Sequence, residues 1–276
     1  MKKREKKNLK ILVTGGAGFI GAHLSNSLIA SGHKVLIVDA LRSQGGIPFI
    51  NKKSKFIKGD ITEKKIIGKI KKWKPEIIYH LAAQSAVEPA YDDPKFDILT
   101  NSYGTYLICN LAKQIKVKKF IYTSSVAVYG NKKHRTIEEN TVIDPDSIYG
   151  VSKYAGELFV KQVLKKTSTK TIIFRLFNTY GPGENLNNQK KGMISIYTSY
   201  LWKNKPLVIK GSLKRFRDFV FIEDCINVLT KAIKIRSSKH EIINLSFGDN
   251  YTVKNVIKLI AKTFGKKNYK YRISQG

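Results

Sequence analysis

The sequence predicts an α/β fold, a doubly wound parallel sheet with a smaller, partly interleaved region, and three observations carry that prediction. Short apolar runs alternate with helical stretches over the first two thirds of the chain. The first run ends in a glycine-rich turn that opens a helix. The second ends in an acid, Asp39. This alternation is the pattern of parallel strands joined by crossover helices.

Taken in order, strands are expected at 10–14, 34–39, 55–58, 77–81, 119–124 and 171–175, with helices at 20–31, 63–71, 101–116 and 149–166. The 101–116 stretch carries Tyr103, Leu107, Leu111 and Ile115 as a helical stripe, suited either to the core or to a partner helix. After Arg175 the rhythm loosens. Gly181-Pro182-Gly183 breaks the chain, a polar loop fills 184–192, and a helix follows at 193–203. Strand-like runs at 218–222 and 242–246 flank a helix beginning near Asp224. Thr252 caps a last helix through Phe264, and 269–273 reads as a closing strand. The division is a first unit over 1–178 and a smaller one over 179–276, laid over the carboxyl edge of the sheet.

Composition excludes several classes. A chain of 276 residues with 42% hydrophobic content buries a sizeable core. No run approaches the roughly 18–20 apolar residues of a membrane span, so no membrane partner is expected. The two cysteines, Cys109 and Cys225, have no metal-ligand spacing, so no metal site is expected and a reducing cytoplasm is the simplest setting. The basic opening, Met1 to Lys10, lacks the long apolar run and cleavage pattern of a signal peptide and reads as a charged tail. The net charge of +31 invites a nucleic-acid reading. Lysine outnumbers arginine about five to one, however, and is scattered over nearly every helix and loop. No nucleic-acid partner is expected, although the positive field attracts small anions.

Residues 15–21 read Gly-Gly-Ala-Gly-Phe-Ile-Gly after a strand and before a helix. Gly15 and Gly18 permit a tight turn and close approach to a pyrophosphate, and Gly21 lets the helix pack near the sheet. Gly15, Gly18, Phe19, Ile20 and Gly21 are the expected cofactor contacts. Asp39, some 20 residues on, suits the adenosine ribose hydroxyls and favours NAD over NADP, although Arg42 keeps the phosphorylated cofactor open.

Tyr149 and Lys153 stand four residues apart, one helical turn on the same face. An adjacent cation favours the phenolate, so Lys153 is expected to lower the Tyr149 pKa and make it a general base toward an alcohol. Upstream, Ser124 and Ser125 end a strand where ligands bind in such sheets, and a serine hydroxyl there can share the substrate oxygen.

With these motifs together the chain resembles the extended short-chain dehydrogenase/reductases, specifically the nucleotide-sugar epimerases and dehydratases of Rossmann-type fold. The resemblance runs over nearly the whole length. It includes Gly59-Asp60-Ile61, His80-Leu81-Ala82-Ala83, Asn101 with Gly104-Thr105, the run from Ser124 to Gly130, Arg175 to Gly183, and Arg217-Asp218-Phe219-Val220. It implies NAD as cofactor, touched by Asp60, Ile61, Leu81, Ala82, Ala83 and Asn101 besides the glycine turn, Asp39, Tyr149 and Lys153. It implies Ser125, Tyr149 and Lys153 as catalytic residues. Ser85, Ser125, Asn178 and Arg217 become the substrate contacts, with Arg217 suited to bidentate phosphate binding. A homodimer is implied as well.

Within that family the dehydratases place acids after the catalytic hydroxyl. Here those positions hold Val126 and Ala127, which transfer no proton. The expected activity is therefore NAD-dependent 4-epimerisation of a nucleotide sugar, most simply a UDP-sugar, through a 4-keto intermediate. A 4,6-dehydratase with displaced acids, another NAD-dependent sugar-nucleotide oxidoreductase, and a non-catalytic NAD-binding protein are the alternatives. Family members continue beyond the position of Gly276 into a segment that completes the sugar pocket, so a C-terminal truncation is expected and the sugar preference is not legible.

Overall fold

The computed structural model describes residues 8–42, 50–131, 136–235 and 240–274. Most of the basic opening segment, residues 1–7, lies outside them. Strand β1 (Lys10–Thr14) runs into helix α1 (Phe19–Ala30), followed by β2 (Lys34–Asp39), β3 (Lys55–Lys58), α2 (Lys64–Trp73) and β4 (Ile77–His80). Two short helices, α3 (Val87–Asp92) and α4 (Pro94–Asp97), lead into a π-helix, Ile98–Gly104, and then α5 (Thr105–Gln114). Next come β5 (Lys119–Ser125), a 3-10 turn at Val126–Tyr129, α6 (Ile148–Leu164), β6 (Lys170–Leu176) and β7 (Asn178–Tyr180). The remainder is α7 (Met193–Trp202), β8 (Leu207–Lys210), β9 (Phe216–Arg217), β10 (Phe219–Phe221), α8 (Ile222–Lys231), β11 (His240–Leu245), β12 (Tyr251–Thr252), α9 (Val253–Thr263) and β13 (Tyr271–Ser274).

Seven strands form one parallel sheet in the order β11-β6-β5-β4-β1-β2-β3. The chain winds outward from β1 in both directions, so the strand order reverses between β1 and β4. Helices cover both faces, which is why the strands read as continuous apolar runs instead of alternating ones. One face packs Ile11, Val13 and Ile37 with Leu24 and Leu28 of α1 and Cys225 and Leu229 of α8. The other packs Leu12, Leu36 and Ile78 with Ile66 and Ile70 of α2 and Ile108 and Leu111 of α5. Each such buried aliphatic contributes roughly 1.5–3 kcal/mol.

The region after 178 is threaded through the first unit. Strand β11 pairs with β6 at the sheet edge, and α8 packs on α1. A separate apolar cluster of α7, β8 and α9, including Tyr197, Leu207 and Ile257, supports the smaller layer. Thr252 caps α9, its hydroxyl accepting from the Asn255 N–H at 3.1 Å.

The helix expected at 101–116 differs from the one found. Its first turns are π-helical and begin earlier, at Ile98. The core-facing residues are Thr105, Ile108, Cys109, Leu111 and Ala112. Of the expected stripe only Leu111 is buried, while Tyr103 is exposed. A π-turn inserts an extra residue per turn, so periodicity counted at 3.6 drifts off the true face. Among the described residues no helix is long and apolar enough to cross a membrane.

Candidate active site

A cavity of about 930 Å³ lies along the carboxyl ends of the sheet strands, where the strand order reverses. Ligands bind at that place in open α/β sheets. At its nucleotide end Gly15 adopts φ +71°, and a Cβ there would stand 2.7 Å from the Ala82 nitrogen. A Cβ at Gly21 would collide with the Gly15 carbonyl oxygen. The turn is therefore backbone laid on backbone, with no side chain to fill the groove. Helix α1 starts with no side-chain cap and no acid in its first turn, leaving N–H donors and partial positive charge for phosphates.

Asp39 is held beside this turn, accepting from the Ala17 N–H at 3.0 Å and the Leu41 N–H at 2.8 Å. Asp60 accepts from the Thr62 N–H and hydroxyl at 2.9 and 2.8 Å. Arg42 spends its charge on Asp60 at 3.1 Å and stacks 4.8 Å from the Phe96 ring centre. Phe19, Ile20, Ile61, Leu81, Ala82 and Ala83 line the same groove. A side-chain-free turn, an uncapped helix start and a carboxylate at the second strand end fit a dinucleotide.

At the other end, β5 delivers Ser125 and the first turns of α6 deliver Tyr149 and Lys153, all three lining the cavity. Ser147 fixes the helix start by accepting from the Gly150 N–H at 3.1 Å. Ser125 accepts from the Ala127 N–H at 3.2 Å.

The electrostatics depart from expectation. Burial pushes the Tyr149 phenol up to about 12, and the group that pulls it back is the Ser125 hydroxyl, not Lys153. Lys153 is 2% exposed, and desolvation brings its ammonium down to about 7 against the opposing pull of Asp97 and Glu157. Its Nζ sits 4.4 Å from the Tyr122 ring centre. Spacing along a helix registers proximity but not the desolvation that here outweighs it.

Two expected contacts stand elsewhere. Asn101 does not line the cavity: it is fully buried, and its amide is consumed by the Gln84 backbone (2.8 and 3.0 Å), Asp97 (3.1 Å) and Ser152 (3.1 Å). The π-helix turns it inward against Asp97 and Ser152. Arg217 is not in the cavity wall either; its guanidinium donates to the Phe216 carbonyl at 2.7 Å. Asn178 and Ser85 do line the cavity. Asn178 donates to the Asp218 carbonyl at 2.8 Å, and Ser85 accepts from Lys191 Nζ at 3.2 Å.

Sequence reasoning missed Gln84, Glu184, Lys191 and Asp97. Ser124 Oγ and Gln84 Oε1 are buried at the cavity with no hydrogen-bond partner among the described residues. Glu184 accepts from the Ser195 hydroxyl, and burial raises its carboxyl while lowering the Lys191 ammonium. The polar loop 184–192 was legible as a loop, but nothing in it marked which polar residues turn inward.

A sequence model of the NAD dependent epimerase/dehydratase family matches residues 11–246. The chain is 33% identical over 230 residues to UDP-glucose 4-epimerase of Mycolicibacterium smegmatis, covering 81% of this chain and 73% of that protein. It is 30% identical over 266 residues to dTDP-D-glucose 4,6-dehydratase of Homo sapiens, covering 92% and 75%. A solved structure of UDP-glucose 4-epimerase from Thermotoga maritima with UDP-glucose superposes with a TM-score of 0.89 at 30% identity, over 97% of this chain and 86% of that one.

Proposed function

The chain belongs to the NAD dependent epimerase/dehydratase family, and from that premise we propose that it is a nucleotide-sugar 4-epimerase acting on a UDP-sugar through a transient 4-keto intermediate. The observation that carries this reading is the 3-10 turn after Ser125. It offers Val126 and Ala127, so no acid or base stands next to the serine for a dehydration.

Gly15, Gly18 and Gly21 with the start of α1 hold the pyrophosphate of NAD, Asp39 its adenosine ribose, Asp60 and Ile61 the adenine, and Lys153 the nicotinamide ribose. Bound there, NAD supplies the acceptor and then the donor of a hydride. Tyr149, as phenolate, takes the proton from the sugar 4-hydroxyl, and the Ser125 hydroxyl donates to the same oxygen. After the keto sugar turns over, Tyr149 returns that proton to the oxygen of the other epimer. Asn178 faces the substrate from the wall. Arg217 has Nε and Nη2 donors beyond the one given to the Phe216 carbonyl, and these are what it can offer a diphosphate.

The test is to incubate purified protein with UDP-glucose, UDP-galactose and their N-acetyl forms and to analyse the products. Interconversion is expected. Absence of it on all four substrates, in protein shown to hold NAD, sinks the assignment. A 4,6-dehydratase is the second reading, favoured by Glu184, a cavity-lining carboxyl raised by burial. Mass spectrometry separates the two, because dehydration loses water and epimerisation leaves the mass unchanged.

The same reading makes the protein a cytoplasmic homodimer. Its support is the set of exposed apolar side chains Ile98, Leu99, Tyr103, Val151 and Leu158 on the π-helix and α6, together with two free, buried cysteines. Light scattering that returns the 31.3 kDa monomer mass removes the dimer.

A further inference from the structure

Behind Lys153 lies a carboxylate that the proposed reaction does not use. Asp97 ends α4 where the π-helix begins, and its side chain is fully buried. One oxygen, Oδ2, accepts from Asn101 Nδ2 at 3.1 Å. The other, Oδ1, has no hydrogen-bond partner among the described residues. Asn101 Nδ2 also donates to the Ser152 hydroxyl at 3.1 Å, and that hydroxyl donates to the Tyr149 carbonyl at 3.0 Å, tying Asp97 through Asn101 to the helix turn between Tyr149 and Lys153.

A charge of each sign buried in one place needs an account. An ammonium with almost no exposure loses its proton unless a countercharge holds it. Among the described residues, the other titratable groups facing Lys153 are committed or neutral. Glu157, on α6, is bound by Arg175 through two bonds of 2.9 and 2.8 Å. His80, on β4, is held neutral by burial, with a pKa of about 3. Tyr122, on β5, offers its ring face and a phenol that burial keeps protonated. Tyr149, on α6, carries no positive charge in either form, and as phenolate it is spent on the substrate hydroxyl.

We propose that Asp97 is a positioning residue for the reaction: its carboxylate is the buried countercharge that keeps the Lys153 side chain cationic and seated at the cavity. This rests on the reading of Lys153 as a working group of the active site. Asp97 also pushes the Tyr149 phenol upward, so it acts on both groups at once. Its removal therefore has a signature that simple loss of packing lacks: the Lys153 and Tyr149 midpoints move down together.

The test uses full-length protein labelled with carbon-13 at the lysine ε-carbons, with the Lys153 resonance identified as the one absent from Lys153→Arg. The wild-type midpoint is expected at about 7. In Asp97→Asn it is expected to fall by about one pH unit or more, and in Asp97→Glu to return. The reciprocal arm needs no change at 97: in Lys153→Gln the Asp97 carboxyl, followed by carbon-13 at aspartate, is expected to titrate at higher pH than in wild type. A Lys153 midpoint unmoved in Asp97→Asn, or an Asp97 midpoint unmoved in Lys153→Gln, overturns the proposal, even where the variant has lost thermal stability. Wild-type protein that interconverts no UDP-sugar sinks the epimerase reading and leaves the titrations standing. Unmoved midpoints with turnover intact sink the role of Asp97 alone.

Discussion

The corner behind Lys153 and the wall around Glu184 belong to one site and are built on opposite principles. In the corner, Asp97, Asn101, Ser152, Lys153, Glu157 and Arg175 are all buried; Asn101 ties Asp97 to Ser152 at 3.1 Å, and Arg175 grips Glu157 at 2.9 and 2.8 Å. At the wall, Lys190 reaches Asp92 with both side chains about half exposed, and Lys191 reaches Ser85 from the polar loop. Charges in a dry corner interact strongly and are costly to orphan, whereas exposed ones are screened and exchange partners cheaply. Proton and hydride chemistry needs the first kind of place, with groups fixed before substrate arrives. Choice among sugars is served by the second, where long side chains readjust.

The largest effect expected of that contrast is at Tyr149. Tyr149→Phe keeps the ring and removes the only atom that reaches the sugar oxygen as a base. Turnover is expected to fall by about 10²–10⁴-fold with NAD retained. Product formation and cofactor content measured on the same sample check this. Activity within tenfold of wild type moves the base elsewhere.

Next is the ion pair that floors the corner. Glu157→Gln replaces one of the two oxygens that Arg175 donates to by an NH2 and leaves the guanidinium buried without its countercharge, and removing one side of a buried pair costs about 3–5 kcal/mol. The Tyr129 hydroxyl at 2.8 Å and the Glu139 carbonyl at 3.1 Å remain to Arg175, so the low end is expected by urea unfolding. A loss below about 1 kcal/mol would mean that water enters the corner freely and that the two regions differ less than their burial suggests.

How much of this was legible follows the same line. The parallel sheet could be read because both faces are covered, making its strands uninterrupted apolar runs such as Ile11-Leu12-Val13. The glycine turn and Asp39 could be read because backbone geometry demands those residues at those spacings. Ser125, Tyr149 and Lys153 were legible as neighbours. Their pKa values were not, since desolvation depends on residues distant in sequence: Asp97 lies 56 positions from Lys153 and Tyr122 lies 31. Asn101 was placed at the cofactor by motif, yet the π-helix turns it into the corner, and a π-turn leaves no mark in residue periodicity. The inward-facing Glu184 and Lys191 sit among polar neighbours with nothing to distinguish them until the loop is folded.

A pH series sharpens the contrast further. Lys153 titrates at about 7 in the folded chain against an ordinary value of 10.5. Between those values the unfolded chain holds a proton that the folded chain has released, so unfolding becomes harder as pH rises. Stability of wild type relative to Lys153→Met is therefore expected to increase from about pH 7 toward about pH 10.5, with a slope of at most about 1.4 kcal/mol per pH unit. Urea unfolding of both proteins at several pH values in that window gives the slope. A flat difference would show that the ammonium is solvated in the folded chain.

The smallest effect belongs to the wall. Lys190→Ala removes the tie between the polar loop and α3, a pair whose side chains are 55% and 53% exposed. Water solvates both charges when they part, so the expected loss of stability is within about 1 kcal/mol by urea unfolding. Because Asp92 lines the cavity, the change is expected in the KM for the sugar nucleotide while kcat stays near wild type. That split is the point of the experiment. A fall in kcat matching the one at Tyr149→Phe would mean that the exposed wall helps to place the reacting atoms, and the division between a rigid corner and an adaptable wall would fail at its weakest contact.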